Sequence, residues 1–369
     1  MILILLLVTL IYIYFGYPLV LLLLNQFEQQ KVKKSFITPS VSLIISAYNE
    51  EDIIAKKIKN CFQLNYPEDK LEIIVANDGS QDDTVEITSQ YQEVELLDYE
   101  INEGKTEVQN KAVKEATGEI LVFSDANAMY QPDAIKKLVR NFADEKVGAV
   151  CGDLQYSSGT ASSGSREGIS LYKRYEKFIK KLEGNLHSTI GAYGSIYAVR
   201  RELYTPLPAD IISDFIEPLM IVKQGYRSVY EPEAVSVEKP ETSYQDEFQR
   251  RVRIITRGLR GLVYASDLLK FNALGFCLFS RKLLRWLTPI FMILLFMFNL
   301  FHVEGIYFYL LIGQILFYSF AGLGLVFDNK LFYIPSYFTM INYASLKALI
   351  NYFKGEKYVS WDTLDRKED

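Results

Sequence analysis

From Ile2 to Leu24 the chain carries no charged side chain, and that run limits what its first segment can become. A helix needs roughly 20 apolar residues to cross the hydrocarbon core of a bilayer, and this stretch has that length. It lacks the basic start, shorter apolar run and small-residue cleavage site of a secretory signal, so it reads as a retained membrane anchor. Lys31, Lys33 and Lys34 follow directly, which by the positive-inside rule places the next domain in the cytoplasm. Apolar character returns in Leu283–Phe301, Ile306–Phe327 and Leu331–Phe353, with Arg281, Lys282 and Arg285 at the start of the first. Three crossings would leave the tail outside, yet the tail and its approach hold Lys347, Lys354, Lys357, Arg366 and Lys367. The third segment differs from the others, because Ser336, Thr339, Asn342 and Ser345 recur at every third position. Either its polar side packs on the bundle or one segment does not cross; the basic residues favour a cytoplasmic tail. The expected organisation is an anchor over 1–30, a cytoplasmic domain over 36–258 and amphipathic interface helices over 259–282. A membrane region of two or three spans over 283–353 and a tail over 354–369 complete it.

Between the apolar ends the pattern changes. Val41–Ser46 (VSLIIS), Leu71–Ala76 (LEIIVA), Glu95–Tyr99 and Ile120–Ser124 read as strands, and the segments after the first three carry helical spacing, as in Ile53, Ile54, Ile58 and Phe62. Strands alternating with helices imply an α/β fold with a mostly parallel sheet covered on both faces. In such sheets ligands sit beyond the carboxyl ends of the strands. Asn49, Glu50, Asp78 and Asp125 all follow strand ends, so they are expected to converge on one edge. Ser157 to Ser165 reads as a mobile loop, and Leu171 to Leu182 as a basic amphipathic helix near the membrane.

Composition narrows the chemistry. The net charge of −5 says little about partners, and no basic stripe points to nucleic acid, so none is expected. Cys61, Cys151 and Cys277 are too widely spaced for a metal cluster and read as core or membrane residues. His187 and His302 are the two histidines, so acid-base work falls first to carboxylates. There is no GxGxxG after the first strand and no GxxxxGK[ST]; a diphosphate would be held by metal and cationic side chains instead. Asp125 and Asn127, one residue apart on a loop after a strand, make a seat for a divalent cation and a diphosphate, or else an ordinary polar turn. Lys105 is either a phosphate ligand or a solvated loop lysine.

The ordered series SAYNEE, NDGS, NEGK, SDANAMYQPDA, GAYGSIYAVRRELY, SDFIEPLMIVKQGYRSVYEPEA and FQRRVRI resembles family-2 glycosyltransferases of the cellulose synthase and hyaluronan synthase type. The likeness covers about Val41 to Gly258, and the flanking apolar segments match that group. It implies a GT-A type nucleotide-sugar-binding fold, inversion at the anomeric carbon and a divalent metal, Mg²⁺ or Mn²⁺. Carried over by position, Ala47, Asn49 and Glu50 would line the nucleoside pocket and Asp78 would bond the base. Asp125 holds the first acidic position of the family's DxD, and Asn127 the second, where many members have Asp. Asp214 matches the catalytic base, with Glu217 one turn on as its substitute. Arg250 and Arg253 match the arginines of the family's QxxRW element and, three apart on a helix, share a face that would grip the diphosphate. Ile254 replaces the Trp of that element, which puts processive elongation in doubt. Gly191, Tyr193 and Gly194 match the acceptor loop; Tyr193 would stack on the sugar or pack as an ordinary tyrosine. Arg251, Arg257 and Arg260 are placed against anionic headgroups.

The resulting expectation is a membrane enzyme that passes a sugar from a nucleotide-diphospho-sugar, UDP-linked by preference, to a lipid-linked or growing glycan acceptor. Its partners are that donor, that acceptor and membrane lipids. A processive synthase that exports its product would use the Ser336–Ser345 face as a path. An inactive nucleotide-sugar-binding partner is the third reading, and retention of Asp214 and both arginines opposes it.

Overall fold

The computed structural model describes residues 2–157, 163–239, 244–270, 272–327 and 329–359. Most of the loop expected at Ser157–Ser165 lies outside them, as do Arg366 and Lys367. Helix α1 (Ile2–Ile11) passes through a π-helical turn at Tyr12–Gly16 into α2 (Tyr17–Phe27). The alternating region follows as β1 (Val41–Ala47), α3 (Glu51–Phe62), β2 (Leu71–Asp78), α4 (Thr84–Ser89), β3 (Glu95–Tyr99), α5 (Lys105–Glu115) and β4 (Ile120–Asp125). Then come β5 (Met129–Tyr130), α6 (Ala134–Val139), β6 (Val147–Tyr156), α7 (Ser163–Leu186), β7 (Tyr197–Arg200), α8 (Ser213–Lys223), β8 (Arg227–Glu238) and α9 (Tyr244–Tyr264). The chain ends in α10 (Ala273–Leu278), a π-helical turn at Phe279–Leu283, α11 (Leu284–Phe301), α12 (Ile306–Leu323) and α13 (Lys330–Phe353).

One sheet of order β3-β2-β1-β4-β7-β6-β8-β5 carries the domain. The β3-β2-β1-β4 half is parallel, as is the β6–β8 pair, whereas β7 and β5 pair antiparallel with their neighbours. Successive residues of a strand point to opposite faces. Leu43 and Ile45 accordingly pack with Ile54, Ile58 and Leu138 on one side, and Ile44 packs with Val108, Ala112 and Ile221 on the other. With both faces covered, β1 is buried along its whole length, which is why it reads as an uninterrupted apolar run. Register then places the functional loops: Ser46 is level with Asp125, Ala47 with Asn77 and Asp78 with Tyr99.

Among the described residues three helices are long and apolar enough to cross a membrane: Leu3–Phe27, Ala273–Phe301 and Ile306–Leu323. This corrects two boundaries. The second of these helices begins at Ala273 rather than Leu283, because α10 continues through its π turn into α11 without a break. Leu331–Phe353 does not qualify, and α13 instead runs beside α9: Tyr337 meets Arg251, Phe248 stacks on Tyr343 and Thr256 reaches the Ala348 carbonyl. Of the polar residues of α13, Ser336 donates to the Ala321 carbonyl of α12, Asn342 and Ser345 donate to the Phe338 and Ile341 carbonyls of their own helix, and all three are buried. Two crossings after the domain would return the chain to the domain's side, and the tail is found there. Arg260 donates to the Glu356 carbonyl, and Gly104 packs so closely on Val359 that a Cβ would overlap its carbonyl.

Helix α7 joins the domain to the apolar helices at the two ends of the chain. Ile179 and Leu182 share an apolar cluster with Tyr17 and Leu21 of α2. Beside it, Arg281 donates to both Glu176 and Glu183, Arg285 donates to Glu176, and the Tyr17 hydroxyl donates to Glu183 at 2.6 Å. The side chains of Arg281 and Glu183 are 3% and 0% exposed. Removing one member of a buried pair strands the other charge, which typically costs about 3–5 kcal/mol. Arg281→Ala is therefore expected to lower the thermal midpoint of the detergent-solubilised protein markedly. Arg281→Ala with Glu183→Ala should lower it less than the sum of the two single changes, and a strictly additive cycle would show that the pair is not coupled.

Candidate active site

The carboxyl ends of β1, β2 and β4 deliver the residues expected there to one edge. Asn49 adopts φ +50°, a left-handed conformation that Asn tolerates better than most residues. Its side-chain oxygen accepts from the Gln81 amide, and its own amide donates to Ser80 Oγ. The Glu50 amide donates to Thr84 Oγ1 at 2.8 Å. Ala47 is fully buried under these turns. The SAYNEE and NDGS loops thus hold each other. Asp78 does the same for a third loop, accepting from the Glu103 and Gly104 amides at 2.8 and 2.9 Å. Burial pushes its carboxyl up to about 6 despite those two bonds. A nucleobase would have to share a carboxylate already engaged with the NEGK loop.

That clamp sets Lys105 at the start of α5. Its ammonium donates to Asp125 Oδ1 and, at 3.4 Å, to the Gly194 carbonyl. A Cβ on Gly194 would lie 2.8 Å from Asp214 Oδ2 and 3.0 Å from Lys105 Nζ. The small residue is what lets the acceptor loop, the base candidate and the diphosphate candidate meet. Gly191 is needed for another reason, its φ of +76° beside Phe215. Asp214 is partly buried, and burial raises its pKa with help from Asp125 and against Lys105, Arg257 and Lys282. Asn127 is also partly buried, on the turn after β4. Among the described residues no three His, Cys, Asp or Glu side chains gather closely enough to hold a metal ion. A cation here would take Asp125 and Asn127 and complete its shell with water or phosphate.

Arg250 lies within electrostatic range of Glu238 and Glu247, and Arg253 of Arg257. The arginines expected on headgroups point into the protein. Arg257 donates to Thr106, Ala209 and Ile211 and faces Asp214; Arg251 is held by Glu247 and Tyr337; Arg260 approaches Asp210. Tyr193 is half-buried with Lys180 3.7 Å above its ring, so that ring face is taken. Glu217 is fully buried and accepts from the Thr205 amide at 3.0 Å, apart from the other carboxylates, which removes it as substitute base.

Sequence reasoning missed Lys57 and Glu238 and put Arg257 in the wrong place. Lys57 is fully buried beneath the Asp125–Asn127 turn, donating to Ser124 Oγ at 2.8 Å and the Ala128 carbonyl at 2.5 Å, with its ammonium 4.1 Å from the Tyr130 ring centre. A signal existed: Lys57 interrupts the apolar stripe of Ile54, Ile58 and Cys61.

Burial lifts the Glu217 carboxyl to about 8. A carboxyl raised in the folded state favours folding most below its unfolded value of about 4.3, and that stabilisation is lost as pH rises through the folded value. Glu217→Gln keeps the acceptor for Thr205 without a charge. Its thermal midpoint should fall less than that of the unaltered protein between pH 5 and pH 9; parallel curves would place the charge elsewhere.

The Glycosyl transferase family 2 description matches residues 42–204. The poly-beta-1,6-N-acetyl-D-glucosamine synthase of Staphylococcus epidermidis is 32% identical over 36% of this chain and 31% of its own length. The probable glycosyltransferase YdaM of Bacillus subtilis is 26% identical over 67% of this chain and 60% of its own. The matched region thus spans less than two thirds of either relative. A mannosyltransferase of Pyrobaculum calidifontis, solved in complex with GDP-Man and Mn2+, superposes with a TM-score of 0.75 at 21% identity, covering 96% of this chain and 100% of the other. The backbone is therefore of the GT-A type, and residues 42–204 are similar to family 2 glycosyltransferases.

Proposed function

We propose that the protein is a membrane-embedded, inverting glycosyltransferase. It moves a sugar from a nucleotide-diphospho-sugar, with a UDP-sugar as first candidate, to a lipid-linked or growing glycan acceptor in polysaccharide assembly. The observation that carries this reading is the meeting of Asp125, Lys105 and Asp214 around Gly194 at the carboxyl edge of the parallel strands. A binding protein needs cations for a diphosphate, but it has no use for a carboxylate of raised pKa beside them. The catalytic unit is taken as residues 36–258, on the cytoplasmic side marked by the lysines after the anchor.

Asp214 takes the proton of the acceptor hydroxyl as that oxygen bonds to the anomeric carbon, and the bond from this carbon to the diphosphate breaks on the opposite face. A base whose pKa is raised towards neutrality suits that transfer. Lys105, Arg250 and Arg253 take up the charge of the departing nucleoside diphosphate. Ala47, Asn49, Glu50 and Asp78 shape the nucleoside end, while Gly191, Tyr193 and Gly194 border the acceptor. Asp125 and Asn127 would hold Mg²⁺ or Mn²⁺, which supplies positive charge to the diphosphate. The fit rests on Asp125 lying within electrostatic range of both Asp214 and Glu238, an accumulation of carboxylates that a cation relieves. The GDP-Man and Mn2+ of the Pyrobaculum mannosyltransferase support a nucleotide sugar and a divalent ion, and make a GDP-sugar the second donor candidate. The names of the staphylococcal relatives support a polysaccharide role. The packed polar face of α13 favours single additions over polymerisation with export.

Purified protein given Mg²⁺ or Mn²⁺ and a panel of UDP- and GDP-sugars should release nucleoside diphosphate with one of them. Asp214→Asn should reduce that release at least about 100-fold with donor binding intact; an active variant would exclude Asp214 as base. Asp125→Asn should abolish metal dependence of donor binding, whereas Asn127→Asp should retain or tighten it. A product of retained anomeric configuration would sink the inverting mechanism.

A further inference from the structure

Three cations lie within electrostatic range of Asp214: Lys105, Arg257 and Lys282, the last in the π-helical turn leading into α11. Lys282 sits 4.7 Å from the Phe215 ring centre and 6.0 Å from that of Trp286, with the two rings packed edge to face. Lys180 of α7 lies within its electrostatic range. Lys180 is 3% exposed, and its contacts are the Cys151 sulfur at 3.4 Å and the face of Tyr193. Neither lysine forms a direct ion pair with a carboxylate among the described residues, although Asp214 and Glu176 lie within electrostatic range of Lys282. The neighbouring acids are already committed, Glu176 to Arg281 and Arg285, and Glu183 to Arg281 and Tyr17. Four cations, Lys180, Arg281, Lys282 and Arg285, therefore face two carboxylates, Glu176 and Glu183. Counting Asp214 as ionised still leaves one positive charge uncompensated.

Burying an ammonium without an anion is costly, and a protein gains by keeping one only where an anion arrives. We propose that Lys180 and Lys282 form the phosphate-binding subsite of the acceptor, and that this acceptor is a sugar joined through a diphosphate to a membrane lipid. The inference rests on the transferase reading above and names its acceptor. Three observations point to the acceptor rather than the donor. Lys282 stands in the π-helical turn at the start of α11, within a helix long and apolar enough to cross a membrane, where a lipid would bring its headgroup. Its floor is aromatic and apolar. The donor candidates Lys105 and Asp125 are paired with each other elsewhere around Asp214. A lipid monophosphate acting as nucleophile would need no base, since its oxygen is already anionic; a sugar hydroxyl does need one, and Asp214 supplies it. In the transfer the hydroxyl proton passes to Asp214, the oxygen bonds to the donor's anomeric carbon and nucleoside diphosphate leaves, while the acceptor diphosphate stays intact between the two lysines.

The test uses the full chain in phosphatidylcholine nanodiscs with geranylgeranyl diphosphate, geranylgeraniol and inorganic pyrophosphate as probes. The diphosphate should bind at least tenfold more tightly than the alcohol. Lys282→Met, at a partly exposed position, should erase most of that preference, and Lys282→Arg should restore it, with UDP or GDP binding unchanged in both. Equal binding of alcohol and diphosphate, or a preference that survives both Lys180→Met and Lys282→Met, overturns the proposal. Pyrophosphate binding as tightly as the lipid form overturns its lipid part. None of these measurements needs turnover, so absence of nucleoside diphosphate release with every donor would count against the transferase reading alone.

Discussion

The buried ammonium of Lys57 is the constraint on which the site depends. An unsolvated cation in an apolar layer is unfavourable, and burial pushes its pKa down. What keeps it there is a set of fixed acceptors, Ser124 Oγ and the Ala128 carbonyl, together with the Tyr130 ring and the more distant charges of Asp125 and Glu238. Those acceptors lie on either side of the Asp125–Asn127 turn. Satisfying Lys57 therefore fixes the turn from below, so the Asp125 position follows from core packing. Tyr130 extends the same logic: its hydroxyl donates to the Phe123 and Ser195 carbonyls at 3.1 and 3.0 Å, tying the turn to the loop that carries Gly194.

Above this floor the site is a problem in charge balance. Asp125 adds to the cost of ionising both Asp214 and Glu238, after burial itself. Lys105 and Arg257 offset that cost for Asp214, and Arg250 and Lys173 do so for Glu238. Asn127 in place of a second aspartate keeps an oxygen at the turn without adding a fourth negative charge. Seen this way the substitution is compatible with Glu238 standing nearby: the cluster already holds the carboxylates that a divalent ion and a diphosphate must be balanced against.

The strands and their order of loops were legible because parallel strands covered on both faces are written as apolar runs, and the turn residues Asn49, Asp78 and Asp125 stand at their ends. Convergence of Lys105 on Asp125 was readable only as an alternative, since a loop lysine looks the same in sequence whether solvated or paired. Arg257 was misplaced for a related reason. A helical arginine near a membrane segment fits headgroups well, and nothing local reveals that Thr106, Ala209 and Ile211 gather around it from distant parts of the chain. The status of α13 likewise depended on its neighbour: nothing local shows that Tyr337, Tyr343 and Ala348 meet Arg251, Phe248 and Thr256 of α9.

Helix α7 explains why the sheet domain and the apolar helices form one structure. Lys173, Lys177 and Lys180, spaced four and three apart, turn towards Tyr156, Asp153 and Tyr193 of the domain. Glu176 and Glu183, at the edge of the same stripe, hold Arg281 and Arg285 of the helix that continues into α11. Residues three and four apart are neighbours on a helix, so a single stripe of α7 grips the domain and the apolar helices at once. The tail adds a second tie: by packing Val359 on Gly104, it touches the loop whose amides hold Asp78 and whose next residue is Lys105. The surroundings of Asp214 are thus braced twice from outside the sheet domain, by Lys282 within electrostatic range and by the tail on Gly104.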